Sequence, residues 1–197
     1  NKSIDINKAN SDGNTLLLLT QDHLKIITTL IKNSKCNFEH INNEKYQLLD
    51  YINHDNVLWY EIAKKSNLTH ISDGITPLIN VCALSTKQYD KFILDLIKTK
   101  DCKINFINLE WNDTALHWAC WRGKTQVCLE LIRKMDIGLL NLKNKHGHTP
   151  LSLACRSKCS TIAKAIIKRL HDTIGYNPNF VNYDTAMKHC CTNKMYY

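Results

Sequence analysis

The segment that decides the fold runs from 114 to 123 and reads Thr-Ala-Leu-His-Trp-Ala-Cys-Trp-Arg-Gly. Thr114 suits a helix N-cap, because a threonine hydroxyl accepts one of the backbone N–H groups that the first turn leaves without a partner. Asn112, two residues earlier, suits a turn with positive φ. Ala119 is small enough to let a neighbouring helix approach closely. The segment therefore predicts a short helix that is entered from a tight turn.

Copies of this segment recur along the chain. Three threonine-led copies follow the same pattern, and a weaker one stands near the start; they occupy 73–82, 146–155, 183–191 and 12–17. The threonines Thr76, Thr114, Thr149 and Thr185 are 38, 35 and 36 residues apart. Proline follows the threonine in two copies, where it costs no helical hydrogen bond. A period of this length is typical of repeat architectures.

A second helix is predicted after each copy except the last, because apolar residues recur there one helical turn apart. These stretches are 26–31, 93–97, 127–132 and 162–167. Such spacing gives each helix a single apolar stripe. A lone helix pair cannot bury that stripe, whereas a stack of pairs can. The sequence therefore predicts an all-α solenoid of stacked helix–turn–helix repeats.

These motifs resemble the ankyrin repeat family. Residues 114–119 followed by Gly123 are similar to its signature, and 149–151 repeat most of it. The resemblance covers nearly the whole chain and implies one ankyrin repeat domain over 1–197, as part of a longer protein. Its units would be approximately 10–42, 43–70, 71–108, 109–143, 144–180 and a partial 181–197. The unit at 43–70 has no signature, yet its apolar spacing still fits a helix pair.

The connectors between units are rich in asparagine, as at 140–144. In this respect the chain is similar to the ankyrin arrays of giant DNA viruses that infect protists. That resemblance implies a viral protein located in the host cytoplasm; for a chain of other origin, the cytoplasm or nucleus is expected.

Charge and hydropathy restrict the class of protein. The formal net charge is +8. This balance favours an acidic partner, although scattered lysines also fit solvated helix faces. The longest aliphatic run, 16–19, is far shorter than the roughly 20 residues of a membrane span, so no membrane span is predicted.

Nine cysteines form no disulfide pattern of a secreted protein, and a reducing intracellular compartment is expected. The same position of successive repeats is occupied by cysteine, at Cys82, Cys120, Cys155 and Cys191. These four thiols could be interpreted as the ligands of a zinc ion. Ligands in a column cannot converge on one ion, so buried packing is the preferred interpretation and no metal or cofactor is predicted. A cysteine nucleophile paired with His117 is the enzymatic alternative. The resemblance instead implies a structural histidine, and no enzyme activity is predicted.

The resemblance implies that a partner binds a concave face made by the loop tips and the ends of the inner helices. The predicted partner-binding residues are Glu110, Trp111, Asp113, Trp121, Arg122, Lys145, His146, His148, Arg156, Ser157 and Lys158. Lys124 is expected to add to the basic residues around these aromatics. Trp118 is expected to be mostly buried, whereas Trp111 and Trp121 fit either groove or core.

The predicted function is a non-enzymatic scaffold for protein–protein interaction with a partner of acidic surface, a host protein if the chain is viral. Two alternatives remain open at this stage. The array could be the targeting or substrate-recruiting arm of a larger enzyme, or a ubiquitin-ligase adaptor. It could also bind nucleic acid through its basic and aromatic groove.

Overall fold

The computed structural model describes residues 5–32, 35–52, 57–66, 68–84, 88–100 and 102–174. Over these ranges the chain forms α-helices and one short 3-10 helix, without a β-strand, so the predicted all-α fold class is confirmed. The chain divides into two compact units, Asn1–Asp73 and Gly74–Tyr197. Every helix in the described part is too short or too polar to cross a bilayer. The partial repeat predicted from 181 onwards lies outside the described residues.

Among its described residues, the first unit contains two pairs of short helices. They are α1 (Leu16–Leu19), α2 (Leu24–Ile31), α3 (Leu48–Tyr51) and α4 (Val57–Ala63). Helix α4 packs against both α2 and α3. Trp59 and Ile62 of α4 are completely buried, as is Ile27 of α2. The helix pair predicted for 43–70 from apolar spacing alone is therefore confirmed.

The described part of the second unit, up to residue 174, contains three longer helix pairs. Its helices are α5 (Pro77–Ala83), α6 (Asp90–Lys98), α7 (Ala115–Trp121), α8 (Thr125–Lys134), α9 (Pro150–Arg156) and α10 (Ser160–Ile174), with a 3-10 helix at Ile137–Asn141. Helices α5, α7 and α9 pack side by side as an inner row, and α6, α8 and α10 form an outer row behind them. The apolar stripe of each helix is thereby buried against a neighbour, as the stacking argument requires.

The inner helices begin where the sequence places them. The hydroxyl oxygens of Thr76 and Thr149 accept hydrogen bonds from the backbone N–H groups of Ile79 and Ser152, at 3.3 and 3.2 Å. In both cases proline is the first helical residue. At α7 the backbone N–H of Thr114 donates to Nδ1 of the histidine three residues later, at 3.1 Å. The predicted N-caps at Thr76 and Thr149 are confirmed.

The cysteines at the repeated position lie in the core. Cys82, Cys120 and Cys155 are all at most 1% exposed, so their predicted packing as small apolar residues is confirmed. Cys191 lies outside the described residues. Burial raises the pKa of the Cys82 and Cys128 thiols well above their usual range. Both thiols therefore stay protonated at neutral pH, the form that is a poor nucleophile.

Candidate partner-binding groove

A cavity of about 580 Å³ opens in the second unit between two loops and the inner helices α7 and α9. Its lining is mainly aromatic and basic, and we call it the tryptophan groove. The lining residues are Trp111, Asp113, His117, Trp118, Trp121, Asn144, His146, His148, Leu153 and Arg156. Six of the eleven residues predicted from the sequence are among them: Trp111, Asp113, Trp121, His146, His148 and Arg156.

Each loop of the groove is shaped by a buried asparagine at its base. The Oδ1 atom of Asn108 accepts a hydrogen bond from the backbone N–H of Trp111 at 2.8 Å. In the next repeat, Oδ1 of Asn144 accepts from the backbone N–H groups of His146 and His148 at 3.0 and 2.9 Å. These bonds supplement the backbone hydrogen bonds that close each turn. Trp111 and His146 are thus presented by turns of similar design, although the turn at Asn108 is one residue longer than the turn at Asn144.

The two loops are also bonded to each other. The side-chain amide of Asn144 donates to Oδ1 of Asp113 at 2.9 Å, between two buried residues. The backbone N–H of Lys145 donates to the carbonyl of Trp111 at 2.9 Å, and the Asn112 amide donates to the Lys143 carbonyl at 2.7 Å. The loops therefore form one continuous edge of the groove.

Asp113 requires a correction. It was predicted as an exposed loop residue, but it is only 7% exposed, and its carboxylate accepts the Asn144 hydrogen bond. A carboxylate held in this way is a positioning group for the loop. It lies at the wall of the groove without being available as a charged surface contact.

The tryptophans belong to the surface of the groove. Trp111 and Trp121 are 43% and 42% exposed, which decides between groove and core in favour of the groove. Trp111 stacks on the His146 ring, with centroids 5.6 Å apart and planes 13° apart. Trp118 contacts Trp121 at 5.3 Å in a tilted arrangement. Trp118 is half-buried, less buried than predicted, because one side of its ring faces the groove.

His117 is a structural histidine, as the resemblance implied. Its Nδ1 accepts the Thr114 backbone N–H, so the ring proton resides on Nε2, which donates to the Leu142 carbonyl at 3.0 Å. The side chain is 1% exposed, and this burial lowers the pKa of the imidazole below its usual 6.5. Because both ring nitrogens are engaged within the fold, His117 is not placed to activate a cysteine.

This environment predicts a pH dependence of stability. Below about pH 6.5 the unfolded chain takes up a proton at His117 that the folded chain resists, so the free energy of unfolding should fall as pH decreases. His117→Gln keeps an acceptor for the Thr114 N–H and removes the titration. Between pH 7.5 and 5.5 the wild type should lose on the order of 1 kcal/mol more than the variant in urea titrations. Parallel pH profiles for the two proteins would contradict the assignment.

Five predicted residues lie outside the groove lining. Glu110, Arg122, Lys145 and Lys158 are exposed near it, whereas the Ser157 hydroxyl lies 2.7 Å from the Cys120 carbonyl oxygen. The guanidinium of Arg122 lies 4.6 Å above the Trp121 ring, and its Nε donates to the Ala83 carbonyl.

Lys124 requires a second correction. It was expected among the basic residues of the groove, but it is 1% exposed and its ammonium group pairs with Asp90 at 2.8 Å.

Four of the described lining residues were not predicted as site residues: His117, Trp118, Asn144 and Leu153. The recurrence of asparagine at the loop bases, 108 and 144, is the signal that could have identified Asn144.

Comparison with known proteins agrees with this architecture. A family model described as ankyrin repeats (3 copies) matches residues 79–182. The chain is similar to the crystal structure of an ankyrin repeat domain from Acinetobacter baumannii, with a TM-score of 0.62 and 20% identity over 85% of this chain and 87% of that one. It is also similar to a chain in the complex of a predatory endopeptidase from Bdellovibrio bacteriovorus with an immunity protein. That match has a TM-score of 0.52 and 26% identity, over 85% of this chain and 86% of that one.

Ankyrin repeats generally mediate protein–protein interaction and are typically non-enzymatic scaffolds. Since the family model spans more than half of the 197 residues, and the repeats it describes are the stacked helix pairs of the second unit, the chain belongs to the ankyrin repeat family.

Proposed function

We propose that the chain is a non-enzymatic scaffold that binds another protein through the tryptophan groove. The observation that carries this proposal is the exposure of Trp111 and Trp121, 43% and 42%, beside a cavity that also contains Arg156. Tryptophan and arginine are the residues most enriched at the energetic centres of protein interfaces. A cavity of about 580 Å³ also falls within the usual range of ligand pockets.

The loops support this role because they are organised before a partner arrives. Asn144 bonds within its own loop and to Asp113 of the neighbouring loop. A partner therefore has little loop entropy to remove on binding, which favours affinity. The exposed basic residues Arg122, Lys145, Arg156 and Lys158 support a partner with an acidic surface.

The cellular setting is also part of the proposal. The seven cysteines in the described part of the chain are free thiols, which supports a reducing intracellular compartment. The asparagine-rich connectors support an array from a virus or intracellular pathogen that binds a host protein.

The same groove could serve to recruit a substrate for a larger enzyme or a ubiquitin-ligase adaptor. The full reading frame around this chain tests that alternative, because it would encode the catalytic or adaptor domain.

Removal of the exposed indoles tests the groove. The double variant Trp111→Ala, Trp121→Ala should bind a partner captured from host lysate at least about tenfold more weakly than the wild type, because both side chains would be buried at the interface. Lys98→Ala, on the outer helix α6, is the matched control and should bind normally. Affinities are compared by biolayer interferometry after circular dichroism confirms equal helix content. Equal affinity of the double variant and the control would refute the groove assignment.

A further inference from the structure

The chemistry of the tryptophan groove points to one kind of occupant. We infer that it takes a short acidic segment of the partner, with a bulky apolar side chain among the indoles and a neighbouring carboxylate on Arg156. This inference rests on the proposed function and makes it more specific.

The apolar part of the site is formed by two aromatic walls. The stacked pair of Trp111 and His146 stands on the loop side, and the tilted pair of Trp118 and Trp121 stands on helix α7. Leu153 of α9 also lines the cavity. Aromatic and aliphatic side chains gain favourable packing between such rings, beyond the area that they bury. An apolar side chain of the partner therefore suits this space.

The charged part of the site favours an anion. Arg156, the last residue of α9, lines the cavity, and its planar guanidinium can hold a carboxylate through two parallel hydrogen bonds. Among the described lining residues the one carboxylate is that of Asp113, which is 7% exposed and accepts the Asn144 amide. Arg122 also carries its guanidinium beside this space, 4.6 Å from the Trp121 ring, and adds to the positive charge around it.

A cationic ligand is disfavoured by the same residues. Clustered tryptophans can bind ammonium groups through cation–π contacts. In this groove, however, the Arg122 guanidinium already covers the Trp121 ring at 4.6 Å, and Arg156 lines the same cavity. A second cation would meet repulsion from both side chains.

A nucleic acid fits less well than a peptide. A phosphate backbone needs a continuous basic track, whereas Lys124 is buried in its pair with Asp90 and cannot contribute. Glu110 is exposed directly beside Trp111 and would repel a polyanion. A peptide presents its carboxylates singly and can place one at Arg156 while avoiding Glu110.

Peptide selection tests this inference directly. A phage-displayed library of random linear peptides is selected on the full chain, on Arg156→Glu and on Arg169→Glu. The last variant carries the same change in net charge on an exposed position of α10. The wild type and Arg169→Glu should both enrich Asp or Glu next to an aromatic or aliphatic residue. Arg156→Glu should enrich Lys or Arg at the position of the acid, because a reversed charge reverses the preferred partner.

Binding of a selected acidic peptide gives the quantitative measure. Its affinity should fall at least about tenfold in Arg156→Gln, as expected for loss of a charge-assisted pair. Selected peptides that depend on Trp121 but carry no acid would overturn the inference and leave the proposed function standing. Failure to enrich any peptide would refute the inference alone, because a folded surface could still fill the groove. Selected peptides unaffected by Trp121→Ala would also refute it, since they bind elsewhere on the chain. Tighter binding of a fluorescent oligothymidylate than of the selected peptides would favour a nucleic acid and refute the peptide assignment.

Discussion

Replacing Asp90 by asparagine is expected to lower the free energy of unfolding by about 3 kcal/mol, because it leaves a buried ammonium group without its carboxylate. Lys124 Nζ lies 2.8 Å from Asp90 Oδ1, and the lysine side chain is 1% exposed whereas the aspartate is 24% exposed. The pair joins α6 to the residue that precedes α8, across two repeats of the second unit. Urea unfolding followed by circular dichroism measures the loss.

Two further variants separate the charge effect from packing. Lys124→Met keeps an unbranched side chain in the same space and removes the charge, so it should cost less than Asp90→Asn. The double variant Asp90→Asn, Lys124→Met should also be more stable than Asp90→Asn alone, since it no longer buries an ammonium group without its carboxylate. Asp95→Asn breaks an exposed pair with Lys98 on the same helix and should change stability by less than about 1 kcal/mol. A smaller loss for Asp90→Asn than for Lys124→Met would contradict this account.

Replacing Asn144 by aspartate is expected to lower the free energy of unfolding by about 3 kcal/mol and to abolish partner binding. The change converts the amide donor at 2.9 Å from Asp113 into a second carboxylate, in a place where both residues are less than 10% exposed. Like charges at this distance force the two loops apart. The loops carry Trp111 and His146, so the groove loses one of its aromatic walls.

The reciprocal exchange provides the decisive control. In Asp113→Asn, Asn144→Asp the amide donor and the carboxylate acceptor trade places, and the aspartate at 144 can still accept the backbone N–H groups of His146 and His148. Most of the lost stability and binding should therefore return. Thermal unfolding and affinity for a captured partner give the two measurements. A double variant no better than Asn144→Asp would show that the loops are not held by this hydrogen bond.

The sequence predicted those parts of the fold that depend on local contacts. Thr76 with Pro77 and Thr149 with Pro150 mark helix starts, because capping involves residues only three positions apart. The burial of Lys124 could not be predicted in the same way. Its partner Asp90 lies 34 residues earlier, and nothing in the local pattern distinguishes this lysine from those on solvated helix faces.

The candidate site was predicted only in part, because repeat register can be inferred from the sequence whereas contacts between repeats cannot. Trp111, His146 and Arg156 were found because repeat register places loop tips and inner helix ends together. The exposure of Asp113 was predicted wrongly, since a carboxylate at a loop is buried only when a donor stands opposite it. That donor, Asn144, belongs to the following repeat. It is identified as a site residue only from the structure, which shows its hydrogen bond to Asp113.

In each turn of the groove, one residue at the base sets the shape while the residues at the tip face solvent. This separation affects how partner specificity can evolve. The shape of a turn depends on its basal asparagine, Asn108 or Asn144, whereas tip residues such as Leu109, 80% exposed, make little contact with the rest of the fold. Mutations at the tips can therefore accumulate with little effect on folding while they redirect the choice of partner. A library randomised at 109, 110, 145 and 146 should stay folded in most of its members and yield binders with new specificities.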